Sequence, residues 1–408
     1  MIINSTPSNV TWFSSAQSSM PSINSMDENG IIKILDACLV NGGIERSVLS
    51  VTIDGNNVTL DFGSGHGFNL YQIIYISGAD DALINGNHKV IDMTNNTATI
   101  EVVGALVDTG VIKAKIAPLG YESIFGTTDP LKRAYRSLAA SSAKRVLYLD
   151  MSYPDGAGYH ATSPARRAMV DVCEDMQTLG VQINSYTSAI NNKPTNKNGS
   201  LFWYQSRDRS KATAISTADI PWVVVGNGDY FYLCIAWSQY SSHANQGLKD
   251  VYAFGEFLGI SETTLNNTIL MAHQIVDDAD TSLYTGMLGG NFSTVQSGTL
   301  VPTYVLAGSV LKPRRMAIIS GSTTQQVYSG LTGAPYPSTA GNFLFTQIPK
   351  ILGDDGGVIG LMPSLLFIDH TTNGTIDSEV IDGVLMVRVQ QSAKTSAAPA
   401  NVGFYVGV

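Results

Sequence analysis

The feature of the sequence that most restricts the fold is a series of short apolar runs in which hydrophobic and polar residues alternate. The runs lie between residues 46 and 117, and turn residues interrupt them at about the eight- to twelve-residue spacing of short strands. A period of two places successive side chains on opposite faces of a strand. Asp54-Gly55-Asn56-Asn57 joins two of the runs with residue types that favour a tight hairpin. Residues 46–117 are therefore predicted to form a small β-barrel-like module or a small sandwich.

Residues 1–45 are predicted to form an N-terminal arm and a short helix. The arm is polar apart from the aromatic pair Trp12–Phe13. Such a segment does not fold alone, so the pair indicates that the arm docks on another surface. Apolar residues then recur at helical spacing over Ile31–Leu39, after a cap from Asp27 or Asn29 and before Gly42–Gly43.

The remaining residues, 118–408, are predicted to form a larger β-sandwich domain. A parallel sheet would need helices that alternate with strands, and the sequence lacks that pattern. Asn227-Gly228-Asp229 predicts a second hairpin turn, and one helix is predicted over residues 163–179, with Ser163 as its cap and Pro164 at its first position. Six apolar runs are predicted strands: Arg145–Leu149, Pro221–Val225, Tyr230–Trp237, Met316–Ile319, Leu365–Ile368 and Val384–Val389. The chain as a whole is predicted to be mainly β.

The charge composition favours contacts with other protein surfaces. Charged residues make up 14% of the chain, whereas about 25% is usual. Contacts on such a surface desolvate little charge, although a secreted β protein has a similar composition. The net charge of −9 argues against a nucleic-acid backbone as partner. The basic pairs Lys132–Arg133, Arg166–Arg167 and Arg314–Arg315 are predicted to be solvated or interfacial.

The cysteines and the apolar runs predict the environment of the chain. Cys38, Cys173 and Cys234 are far apart and in apolar surroundings, so they are predicted to be buried free thiols. No apolar run approaches the roughly 18 residues of a membrane span. The first residues lack the basic and apolar regions of a signal peptide. We therefore expect synthesis and folding in the cytoplasm, with no membrane span.

Histidines are the first candidates for chemistry. His66 lies in a glycine-flanked turn and could act as a metal ligand or as an acid–base group. No second ligand stands two or four positions away, so a histidine that bonds to the backbone is the preferred interpretation. Asp155 and His160 share a loop that lacks a nucleophile motif. His370, beside Asp369 at a strand end, is interpreted as a surface residue.

Acidic, glycine-rich and aromatic stretches are the other candidates. Asp277, Asp278 and Asp280 could bind Ca²⁺, but a solvated turn is preferred because an EF-hand's glycine and final glutamate are missing. Asp354–Asp355 is interpreted as a turn. Residues 286–290 and 353–360 match no nucleotide-binding motif. Residues 201–204 and 230–232 form either a sugar-stacking platform or parts of core and interface. No catalytic, cofactor-binding or metal-binding residue is predicted.

Five segments follow one another in a recognisable order: Ile34–Gly43, Gly65–Phe68, Ile76–Ala79, Asn85–Val90 and Ala117–Glu122. Together they resemble a group of virion structural proteins of tailed bacteriophages, usually described as structural or tail-associated. The resemblance is strongest over residues 30–125 and diffuse beyond them. The Gly65–Phe68 part is also similar to small β domains that phages insert into many virion proteins. The resemblance implies a component of the phage particle without known catalytic residues.

The leading hypothesis is therefore a non-enzymatic structural component of a tailed-bacteriophage virion, tail- or neck-associated. It would act by oligomeric assembly with copies of itself and with tail-tube, neck or capsid proteins, anchored by its arm and helix. We expect no cofactor and no nucleic-acid partner, and location in the virion after synthesis in the host cytoplasm. The alternatives are a capsid-decoration or head-fibre protein and a glycan-binding or glycan-degrading receptor protein.

Overall fold

A computed structural model describes residues 9–105, 110–126, 128–152, 167–183, 201–205, 219–236 and 249–256, and in the rest of the chain residues 362–364 and the strands given below. The chain is mainly β, as predicted, with several sheets and one short helix. That helix, α1 (Gly30–Leu35), continues as a π-helical segment over Asp36–Asn41. No helix within the described ranges has both the length and the apolar character that crossing a membrane requires.

The described residues form 32 strands. The first ten are β1 (Thr11–Ser14), β2 (Arg46–Ser47), β3 (Ser50–Asp54), β4 (Asn57–Asp61), β5 (Ile73–Ser77), β6 (Gly86–Met93), β7 (Thr97–Glu101), β8 (Lys113–Ile116), β9 (Tyr121–Ser123) and β10 (Lys132–Ser137). The next ten are β11 (Val146–Asp150), β12 (Arg167–Cys173), β13 (Asp175–Thr178), β14 (Val181–Ile183), β15 (Leu201–Tyr204), β16 (Trp222–Gly226), β17 (Tyr230–Ala236), β18 (Lys249–Glu256), β19 (Leu258–Gly259) and β20 (Thr268–Gln274). The last twelve are β21 (Thr299–Ala307), β22 (Val310–Met316), β23 (Ile318–Ile319), β24 (Tyr336–Pro337), β25 (Phe343–Leu344), β26 (Thr346–Gln347), β27 (Lys350–Leu352), β28 (Val358–Leu361), β29 (Leu365–Ile368), β30 (Asp377–Ile381), β31 (Val384–Gln390) and β32 (Asn401–Gly407).

Strands β2 to β8 form a curled seven-stranded sheet, which we call the barrel module. Its order is β2-β8-β5-β6-β7-β4-β3. Only two residues separate β2 from β3, so one continuous segment pairs with β8 at its beginning and with β4 at its end. Val48 N–H donates to Ile112 O and Leu49 N–H to Asp61 O where the segment changes partner. The first and last strands of the order are therefore joined, as the prediction of a barrel-like module requires.

The two predicted hairpin turns are confirmed. In the barrel module Asp54 pairs with Asn57, and Gly55 has a φ of 61°, which its lack of a Cβ permits. In the second hairpin the Asn227 side-chain oxygen accepts hydrogen bonds from the N–H groups of Asp229 and Tyr230. Local turn chemistry thus determines both connections.

The largest sheet has twelve strands and lies between two layers. Its main path is β1-β16-β17-β18-β20-β15-β12-β11-β10-β9, and β21 and β22 extend it from β20. In β17, Phe231 and Leu233 belong to the core cluster that also contains α1 and the barrel module. Tyr232 and Cys234 belong to a second cluster, with Phe404 of the five-stranded sheet β26-β29-β32-β31-β30. Burial on both faces explains why β17 is a nearly continuous apolar run.

Five of the six predicted strands of the larger region are present, as β11, β16, β17, β29 and β31, whereas Met316–Ile319 is divided between the end of β22 and the short β23 of another sheet. The predicted helix over residues 163–179 is wrong. Arg167–Cys173 is β12 and Asp175–Thr178 is β13, while residues 163–166 lie outside the described ranges. The side chains of β12 alternate between faces, and Val170 and Cys173 belong to different core clusters. A strand buried on both sides carries apolar residues at helical spacings as well as at alternate ones.

The arm docks on the chain itself. Strand β1 pairs antiparallel with β16, with Thr11 opposite Gly226, and all four of its residues are buried. Gln72 of the barrel module covers its outer edge, because the Gln72 side chain donates to Trp12 O at 2.8 Å. Phe13 is fully buried in the core cluster beside α1. The predicted docking is confirmed, but the arm completes the large sheet rather than standing apart from the β modules.

The rest of the arm is bonded to the residues around β15 and β16. The Trp222 indole N–H donates to Pro21 O at 3.1 Å, and Ile220 N–H donates to Ile23 O at 2.8 Å. The Gln205 side-chain amide donates to Asn24 O and Asp27 O, each at 2.8 Å. These bonds attach the arm to segments that are far away in the sequence.

Helix α1 ends where the sequence predicts. Gly42 follows the π-helical segment with a φ of 75°, and a Cβ on it would lie 2.3 Å from Ile116 O. Asn29 occupies the predicted cap position, but its side chain donates to Pro130 O instead of capping the helix. One core cluster runs through the arm, α1, the barrel module and the large sheet. The division at residues 45/46 and 117/118 stays a prediction.

Candidate functional site

His66 is a structural residue of the barrel module, as the preferred interpretation predicted. It is 2% exposed. Its Nε2 lies 2.9 Å from Thr94 O and 3.1 Å from Thr97 O, so Nε2 carries the hydrogen and donates. Its Nδ1 accepts from Phe68 N–H at 3.0 Å. Both ring nitrogens are engaged by the backbone, and the ring cannot bind a metal or exchange a proton without losing these bonds.

Several other candidates fall on residues outside the described ranges: Asp155, His160, Asp277, Asp278, Asp280, Asp354, Asp355, Asp369 and His370. The cysteines Cys38, Cys173 and Cys234 are buried thiols that are not joined by disulfides, as predicted. Burial raises the pKa of the Cys38 thiol well above its usual value, which makes its reactive thiolate form less accessible. Within the part of the chain that the structure describes, no group of three or more His, Cys, Asp or Glu side chains is arranged to hold a metal ion.

The two aromatic stretches are core residues where their side chains are described. Trp203 and Phe231 are fully buried and meet edge to face with their ring centroids 6.1 Å apart. The hydroxyl group of Tyr232 donates to Pro363 O at 2.7 Å, and that of Tyr230 lies 2.6 Å from Ser364 Oγ. These rings hold the layers together, so they are not available as an exposed platform for sugars.

A buried ion pair connects the π-helical segment to β10. The Arg133 guanidinium group, whose side chain is 6% exposed, donates through Nε to Asp36 Oδ2 at 3.1 Å. The Tyr135 hydroxyl donates to Asp36 Oδ1 at 2.8 Å. The sequence predicted a solvated or interfacial Lys132–Arg133 pair, and Arg133 is instead a core residue. Lys132 lies nearer the surface, 3.7 Å from Asp150 Oδ2.

A half-buried carboxyl group, Glu256, lies at the end of β18. Its Oε1 accepts from Ala143 N–H at 2.7 Å, and its own N–H donates to Asp229 O at 2.9 Å. Tyr121 is buried beside it, and its hydroxyl has no hydrogen-bond partner among the residues that the structure describes. The pKa of Glu256 is raised above its ordinary value, chiefly by burial, and the nearby Asp229 adds to this effect. A raised carboxyl pKa suits an acid catalyst, but here the contacts hold the loop around Ala143 against the second hairpin.

The raised pKa of Glu256 predicts a pH effect on stability. Because the folded chain binds this proton more readily than the unfolded chain, the stabilisation from Glu256 is present at low pH and is lost as the pH rises through the folded-state pKa. Glu256→Gln keeps an acceptor for Ala143 N–H and cannot titrate. We expect the free energy of unfolding, measured by urea titration from pH 4.5 upward, to fall less steeply in this variant. Parallel curves for the variant, wild type and the exposed control Glu28→Gln would contradict the assignment.

Exposed apolar side chains are concentrated on and beside the barrel module. Among the described residues, ten large apolar side chains are exposed, and seven of them lie between residues 44 and 111. The seven are Ile44, Leu49, Tyr75, Leu83, Ile91, Val103 and Val111. Exposed apolar side chains provide area that can be buried in contacts with other proteins. The module is therefore the candidate interaction site of the described chain.

The outer surface of the barrel module is divided by charge. The basic face contains Lys89, Lys113 and Lys115 around Tyr75, on strands β5, β6 and β8. The acidic face contains Asp54, Asp61, Asp92 and Glu101 around a row of threonines, on strands β3, β4, β7 and the end of β6. Strands β3, β4 and β7 carry no lysine or arginine. The sequence analysis did not identify these faces, because they depend on which strands pair.

Comparison with known proteins adds little to this geometry. No protein-family model and no curated protein sequence matches the chain. Among solved structures the chain is similar to a phage phi92 endosialidase, with 12% sequence identity and a TM-score of 0.16, over 89% of this chain and 51% of that one. The chain thus spans about half the length of that endosialidase. A likeness of this strength assigns no function.

Proposed function

We propose that the chain is a structural component of a tailed-bacteriophage virion, tail- or neck-associated, which acts by oligomeric assembly with copies of itself and other virion proteins. The observation that carries the proposal is the concentration of exposed apolar side chains on and beside the barrel module. This is also the part of the sequence in which the resemblance to phage virion proteins is strongest. Contact surface and resemblance thus coincide.

The architecture supports a role in assembly. Strands β16 and β17 of the large sheet are buried on both faces, and the arm is bonded to the edge of β16. Such a framework keeps the barrel module in a fixed position, and rigid modules lose little conformational entropy when they bind. The low charge content lets the surface pack closely against neighbours at little desolvation cost.

The test is to locate the chain in purified phage particles. Immunogold electron microscopy with antibody against the chain is expected to label the tail or neck, and mass spectrometry of the same particles is expected to detect the chain. Label spread over the capsid would favour the decoration or head-fibre alternative. Particles that lack the chain by mass spectrometry would overturn the virion assignment.

The receptor alternative is tested with the purified chain. A structural component is expected to leave host-cell polysaccharide unbound and intact. Retention of the chain on immobilised host polysaccharide, or a fall in the polysaccharide's molecular mass, would favour the receptor protein instead. Bovine serum albumin at equal concentration controls for nonspecific retention.

A further inference from the structure

We propose that the barrel module binds a second copy of the chain, with the basic face of one copy against the acidic face of the next. The inference deepens the proposed function, because it rests on the chain acting through assembly and names the contact. It also predicts the type of assembly. A contact between two different faces repeats from copy to copy and generates a ring or a filament.

The register of the strands defines the basic face. Tyr75 lies opposite Lys115 on β8 and opposite Asn87 on β6. Lys113 lies opposite Ser77 in the next row, and Lys89 lies opposite Ile73 on the other side. The Lys113 ammonium group forms an exposed ion pair with Glu45 at 2.8 Å, so Lys89 and Lys115 supply most of the net positive charge of the face. The inward neighbours Ile74 and Ile76 are fully buried, so the lysines and Tyr75 share the outer surface. The Lys115 ammonium group lies 6.0 Å from the centre of the Tyr75 ring.

The acidic face is built from adjacent rows on the opposite part of the sheet. Asp54 and Glu101 both lie opposite Asn57, one on each side. In the next row Thr59 lies between Thr52 and Thr99, and the hydroxyl groups of Thr59 and Thr99 are 2.9 Å apart. Because these side chains are hydrogen-bonded to each other, they form a regular surface with little conformational freedom.

Charge complementarity identifies a second copy as the partner. The chain carries a net charge of −9, yet Lys89, Lys113 and Lys115 are grouped on one outer surface. The same module supplies the matching acidic surface, so one kind of chain satisfies both. The charges steer the contact, and the apolar side chains provide the area to be buried. Tyr75 is exposed on the basic side, Ile91 is exposed beside Asp92, and Leu49 and Val103 are exposed beside the acidic rows.

The two faces are centred on different parts of the curled sheet. Their central strands, β5 and β4, are separated by β6 and β7, and β6 contributes Lys89 to one face and Asp92 to the other. We expect one copy to hold a neighbour on each face at the same time. A symmetric dimer would instead need each contact surface to complement itself, and two basic faces repel.

A charge-exchange experiment tests the contact. The first variant, Lys113→Glu with Lys115→Glu, makes both faces acidic, and the second, Asp54→Lys with Asp92→Lys and Glu101→Lys, makes both faces basic. These side chains are on the surface, and circular dichroism checks that the variants remain folded. Light scattering after size-exclusion chromatography measures their mass. We expect wild type to exceed the 43.5 kDa of one chain and each variant alone to elute as a monomer.

The mixture of the two variants gives the decisive result. Because each variant carries the charge that the other needs, an equimolar mixture is expected to recover the mass of wild type. Glu28→Lys, an exposed reversal outside both faces, is expected to associate like wild type. Raising the salt concentration from about 0.1 to 1 M shortens the screening length from about 10 to 3 Å. We expect this to raise the dissociation constant by about tenfold or more.

Three outcomes would overturn the inference. They are a wild-type chain that remains monomeric, variants that associate as well as wild type, and a mixture that remains monomeric. The last outcome would show that the basic face and the acidic face do not contact each other. Failure here leaves the virion proposal standing if particles contain the chain. Absence from particles leaves the contact standing if the mixture recovers the mass of wild type.

Discussion

Replacement of Phe13 by alanine is expected to lower the free energy of unfolding by about 3–5 kcal/mol. The effect is large although the surrounding sequence is mostly polar. The Phe13 side chain is fully buried in the main core cluster, and its strand is the edge strand of the twelve-stranded sheet. Its loss would leave a cavity between the large sheet and the layer that contains α1. A loss of this size is a large fraction of the about 5–15 kcal/mol that stabilise a typical domain.

The matched control lies in the same arm. Met26 is 50% exposed, and Met26→Ala is expected to change the free energy of unfolding by about 0.5 kcal/mol or less. Urea denaturation, followed by tryptophan fluorescence, measures both variants. If Phe13→Ala unfolds like Met26→Ala, the arm is not part of the cooperative core. Removal of the arm would expose the edge of β16, so we expect a chain without the arm to fail to fold.

Asp36→Ala is expected to destabilise the chain by about 3 kcal/mol, because it leaves the Arg133 guanidinium group buried without its carboxylate. The Asp36 side chain is 22% exposed, which places the effect at the lower end for a buried pair. The Tyr135 hydroxyl also loses its 2.8 Å acceptor. The control is Glu122→Ala, which removes the exposed partner of Arg136 on the same strand. Its expected cost is about 0–1 kcal/mol.

A double variant separates the ion pair from its packing. Asp36→Ala with Arg133→Met removes both charges, so its cost should be smaller than that of Asp36→Ala alone. Thermal and urea unfolding of wild type, Asp36→Ala, Arg133→Met and the double variant completes the double-mutant cycle. Equal costs for the single and double variants would mean that the unpaired arginine reaches water, and the pair would then have no special weight in the fold.

The fold class and the local turns could be predicted from the sequence because they depend on short-range patterns. Alternating apolar residues predicted the barrel module, and Asp54–Asn57 predicted its hairpin. The erroneous helix has the same origin. In β12, Val170 and Val172 face one cluster and Cys173 faces another, so burial on both sides removed the alternation that marks a strand.

The Asp36–Arg133 ion pair and the two charged faces depend on contacts between segments that are separated in the sequence. Spacing alone could not reveal them. Asp36 and Arg133 are 97 positions apart. Lys89 and Lys115 lie on the same outer surface only because β5 pairs with both β6 and β8. The sequence did predict the behaviour of His66, because its glycine-flanked turn brings backbone groups near the ring.

The pairing of β1 with β16 also determines the order in which parts of the chain can fold during synthesis. Ser15 Oγ accepts from Trp222 N–H across 207 positions, and a ribosome adds residues at about 5–20 per second. At those rates, about 10–40 s pass between the synthesis of the arm and the synthesis of its partner strand. During that time the strands of the barrel module, which pair within one short stretch of chain, can already form. The nascent protein thus forms its most local unit first and completes its large sheet only when β1 pairs with β16, which is synthesised later.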